Sequence, residues 1–136
     1  MLPRPSRSLG LGRDERGSAP VEFVLVGVVL TALTFEIIQF GVAVYMRNVV
    51  HDAAVEGAHR AALADTSLSE GVERTRQVIA RTVGDAFAED VSARDTDHLG
   101  YPAVEVTVRT TLPLLGLIGV PWALEVNAYA PAETLE

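Results

Sequence analysis

The chain reads as an α+β protein: a long N-terminal transmembrane helix that extends into a small extracytoplasmic domain with a second helix and a two-stranded antiparallel β-hairpin. Three observations predict this. Phe23 to Met46 is an apolar run of 24 residues, with Glu36 its one ionisable acid. Ser67-Leu68-Ser69-Glu70 opens an amphipathic stretch, and two segments near the C-terminus alternate apolar with polar residues. The boundaries that follow are 1–17 for a basic leader, 18–46 for the span, 47–64 for a helical continuation and 65–136 for the domain.

As a helix, 24 residues extend about 36 Å at ~1.5 Å per residue, enough to cross a hydrocarbon core of about 30 Å. Fourteen positions are Val, Leu, Ile or Phe. Each contributes about −0.3 to −0.6 kcal/mol to insertion, against roughly +3 kcal/mol for one central charge, so insertion wins despite Glu36. Residues 1–17 hold four Arg against two acids, a balance of +2 within a chain of −7, which leaves −9 for the remainder. The basic flank predicts a cytoplasmic N-terminus. The acidic exterior argues against nucleic acid. Without Cys, disulfides, thiolate metal sites and a lipoprotein anchor are excluded.

Gly17-Ser18-Ala19-Pro20-Val21-Glu22-Phe23 resembles the processing site of type IV prepilins of the Flp type, in which a peptidase cuts after Gly and a Glu stands fifth in the mature chain, followed by an aromatic. With Arg13 to Gly17, Gln39-Phe40-Gly41 and Ala53 to Arg60, the stretch from 13 to 62 is similar to the TadE-like family of minor pseudopilins of the tight-adherence (Flp) pilus. Pro20 and His59 depart from the Ala and Arg common at those places. The resemblance implies cleavage by prepilin peptidase between Gly17 and Ser18, a role in assembly for Glu22 and Phe23, and a pilus assembly ATPase and other Tad subunits as partners. It also implies that Glu22 pairs with the N-terminal amine of another subunit. From the residues alone, Glu22 has a second account, as a stabiliser of the helix N-terminus. A signal-peptidase cut after Gly41-Val42-Ala43 is the competing processing route.

Within the span, Glu36 has two readings: a carboxyl bonded to Gln39 or a partner helix, or an acid near the outer surface of a displaced span. Beyond it, Ala53, Gly57 and Ala61 form one row of small residues and Ala54, Ala58 and Ala62 another. Such a face suits close helix packing, against the second helix or against another subunit. His51 and His59 lack a third ligand, so no metal and no cofactor is expected. No catalytic constellation, phosphate loop or small-molecule site is evident, and the chain is expected not to be an enzyme.

The capping box at Ser67 predicts a helix to about Ala88. Residues 89–100, charged and ending in Gly100, read as a loop, with Asp95 to His98 an exposed turn. Val104, Val106 and Val108, then Leu124, Val126, Ala128 and Ala130, predict two strands. Between them Leu112 to Trp122 is uncharged. Leu114, Leu115, Leu117, Ile118 and Trp122 there form either an interaction patch, dipping into the outer leaflet or meeting a partner, or core.

Overall fold

The computed structural model describes residues 1–2, 17–114 and 118–134. Its elements are α1 (Ser18–Ala62), α2 (Leu68–Thr82), a 3-10 turn (Asp85–Phe87), and strands β1 (Asp90–His98), β2 (Tyr101–Leu114) and β3 (Ile118–Pro131). The chain divides into two units, 1–36 and 37–136.

In the first unit the described helix is exposed on every side, from Ser18 through Glu36. Two hydroxyls there are spent locally: Thr31 donates to the Gly27 carbonyl and Thr34 to that of Leu30, each at 2.8 Å. This is how a polar side chain is satisfied in an apolar helix, without a partner.

In the second unit β1, β2 and β3 form an antiparallel sheet in that order. One sheet face and one side of α1 make the core. Val91, Val104, Val106, Val108, Leu124, Val126, Ala128 and Ala130 join Val50, Ala53, Ala54, Ala58 and Ile79. Period 2 in the strands and spacings of three and four in the helix bring these residues to one layer.

The helix pair is packed through its backbones. A Cβ built on Gly57 would lie 1.8 Å from Thr75 Oγ1 and 2.7 Å from the Gly71 carbonyl, and one on Gly71 would lie 2.5 Å from Ala61 Cβ. Both rows of small residues on α1 are therefore covered within this chain, and the first faces α2. α2 begins as its capping box requires, with Ser67 and Glu70 each bonding the other's backbone amide.

Two expectations are corrected. The segment 89–100 is a strand and a turn, not a loop: β1 pairs along β2 from Asp90↔Arg109 to His98↔Tyr101, and Asp95 to His98 lie within it. The sheet thus has three strands. Edge strands carry charge that blocks further pairing, and that charge hides the period of Val91 and Ala93. The second helix ends at Thr82 instead of Ala88. The Val83 and Gly84 amides both return to the Ile79 carbonyl, and Gly84 at φ 112° turns the chain out of the helix.

Candidate functional site

Gly17 forms a turn and Ser18 opens α1, with Pro20 in the first turn, where it sacrifices no helical hydrogen bond. Glu22 is the fifth residue of the helix and exposed; Phe23 beside it is 80% exposed. No acidic residue lies in the first turn of α1. The dipole effect fades within that turn, so stabilising the helix end is a poor account of Glu22. Glu36 follows 14 residues later, about 21 Å along the axis. It is exposed, whereas Gln39 is half-buried.

Ala53, Gly57 and Ala61 are buried. Of the apolar patch, Leu115 and Leu117 lie outside the described residues, as do the side chains of Leu114, Ile118 and Trp122. The backbones of Leu114 and Ile118 pair where β2 meets β3. His51 and His59 are exposed, and His59 Nδ1 lies 2.9 Å from the Val55 carbonyl. No group of three His, Cys, Asp or Glu able to hold a metal ion occurs among the described residues.

The outer face of the sheet holds a polar cluster that the sequence pattern hides. Glu105 on β2 is flanked by Arg94 on β1 and Tyr129 on β3. Strand alternation marks it as outward and solvated, yet it is 3% exposed. Arg94 Nε donates to Glu105 Oε2, and Tyr129 Oη donates to Oε1 at 2.8 Å. The Arg94 hydrogen bond, aided by that of Tyr129, holds the Glu105 carboxyl below its ordinary range against the opposing effect of burial. The same bond to Glu105 holds the Tyr129 phenol above its ordinary range. His98 stacks on Tyr129 with ring centroids 4.2 Å apart. Only recognising β1 as a strand would have placed Arg94 opposite Glu105.

Among the described residues of this unit are two concavities. The larger, about 900 Å³ and open, runs between the end of α1, α2 and the segment after β3, and contains the Glu56–Arg74 ion pair. The smaller, about 290 Å³, is apolar and lined by His98, Leu99, Tyr101 and Tyr129 among others.

Residues 17–59 match the family model for TadE-like protein. No curated protein and no solved structure matches the chain. The matched stretch begins at the glycine that precedes α1 and includes the apolar run; by length and composition, α1 is long and apolar enough to cross a membrane.

Proposed function

We propose that this TadE-like chain is a structural, non-enzymatic pseudopilin-like membrane protein for assembly of a Flp/Tad pilus or related secretion apparatus, processed by prepilin peptidase after Gly17. Three features coincide in support of it: the family match starts at residue 17, the helix starts at Ser18, and Glu22 stands exposed at the fifth position. The first of these carries the reading. A cut after Gly17 leaves Ser18 with an α-amino group at the head of an apolar helix. That amine compensates a Glu22 carboxylate of a neighbouring subunit where the bilayer edge makes an unpaired charge costly. Basic residues before the span orient the leader to the cytoplasm and the sheet domain to the outside. The partners are then the peptidase, the assembly proteins and other Tad subunits in the membrane.

Intact mass and N-terminal sequencing of protein from its native cells test the reading. The expected mature chain begins at Ser18; one that begins at Val44, or retains the leader while functioning, overturns it. A second reading, a single-pass anchored or secreted binding module outside any pilus, draws on the apolar cleft beside Leu99 and Tyr101, which are 85% and 71% exposed. Under it Glu22 is dispensable, which separates the two.

A further inference from the structure

Between Glu22 and Arg47 the sequence has one ionisable side chain apart from the Tyr45 phenol, Glu36. Among the described residues no hydrogen bond or ion pair reaches it, while Thr31 and Thr34 are satisfied by their own helix. An acid left so in hydrocarbon costs several kcal/mol and marks a place where something else supplies the partner.

The positions around it say what. Glu22, Leu25, Val29, Ala32, Glu36 and Gln39 follow one another at spacings of three and four, the repeat of a seam between two parallel helices. From Glu22 to Glu36 every one of them is exposed, with Leu25 at 61% and Val29 at 54%. Gln39, one layer along the same seam and half-buried, carries an amide donor.

We infer that this seam is the contact for a second copy of the same chain, lying parallel, with each Glu36 carboxyl accepting a hydrogen bond from the Gln39 Nε2–H of the other copy. The inference rests on the membrane-span reading above. Copies inserted in one membrane share a direction, so equal residues reach equal depth, and a parallel pair brings Glu36 of each within one layer of Gln39 of the other. The complement is thus present in the chain itself, twice over by symmetry, and needs no foreign helix. Small Ala32 in the layer before Glu36 lets the backbones approach.

The chain has no Cys, so single-cysteine variants of the full-length protein in native membranes report the contact directly. Val29→Cys and Ala32→Cys are expected to give disulfide dimers on mild oxidation. Gly27→Cys and Thr34→Cys, each two residues away and so on the opposite side of the helix, are expected to give few. In the Val29→Cys background, Glu36→Leu, which keeps the helix apolar enough to insert, is expected to lower association about tenfold for two lost interhelical bonds, and Glu36→Gln to retain it. Equal cross-linking on both faces, cross-links only to a different protein, or dimers indifferent to Glu36→Leu would overturn the proposal. A mature N-terminus at Ser18 without seam dimers sinks this contact and leaves the pseudopilin reading standing. Seam dimers of an uncut chain do the reverse.

Discussion

Replacing Gly57 by Ala sets helix propensity against packing. Propensity favours Ala by about 1 kcal/mol. The added Cβ would stand 1.8 Å from Thr75 Oγ1 and 2.7 Å from the Gly71 carbonyl oxygen. The hydroxyl can swing aside only by giving up its 3.0 Å bond to that same carbonyl, and Thr75 is fully buried. A buried hydroxyl left unpaired costs about 1–3 kcal/mol. The carbonyl belongs to the backbone of α2, so ordinary contact at 3.4 Å requires the helices to part by about 0.7 Å. Overpacking of that kind costs about 1–3 kcal/mol. Packing therefore wins, with a net loss of about 3 kcal/mol. For a domain of this size that lowers the melting temperature by about 10–20 °C. Far-UV circular dichroism of the full chain in detergent, followed with temperature, measures it. Adding Thr75→Ala relieves the hydroxyl clash but leaves the carbonyl one, so the double variant should recover part of the loss. A Gly57→Ala protein that melts at or above the wild-type temperature would refute the close crossing of α1 and α2.

Glu105 has a folded pKa below its ordinary 4.5, so its contribution is complete above that value and disappears as pH falls through it toward the lowered folded pKa. Urea midpoints of the wild type should drop over that acid window, and Glu105→Gln should flatten the drop while lowering stability at pH 7. Ser67→Ala removes the N-cap of α2 and should cost about 1 kcal/mol in the same urea titration. Leu99 stands at φ 54° in the β1–β2 turn, so Leu99→Gly should stabilise by about 1 kcal/mol, read as a higher urea midpoint. Glu22→Ala should leave membrane insertion intact, judged by fractionation, and impair pilus assembly, judged by the surface-exposed filament; normal assembly would remove the pairing role.

What the sequence discloses follows the range of the interactions involved. α1, the start of α2 and the buried faces of β2 and β3 depend on local periodicity and capping, and Ser67 with Glu70 or Val104 with Val106 declare them at short range. β1 is hidden in the sequence because its side chains answer to a neighbour: Asp90, Arg94, Asp95 and Asp97 look like loop residues until β2 is placed beside them. Glu105 failed for the same reason, since its burial comes from Arg94, eleven residues earlier, and Tyr129, twenty-four later. The small rows on α1 were legible as a packing surface; the partner of Gly57 was not, because either α2 or a second subunit satisfies the same pattern. The end of α2 turned on the conformation of Gly84, which composition alone does not reveal.

The amide of Glu133 bonds the carbonyl of Ala62, the last residue of α1, at 2.9 Å, and the adjacent amide of Ala132 bonds Pro102 on β2 at 3.0 Å. Two neighbouring peptide groups thus lash the helix end to the central strand. Parting the end of α1 from the sheet therefore requires breaking this tether as well as opening the α1–sheet core.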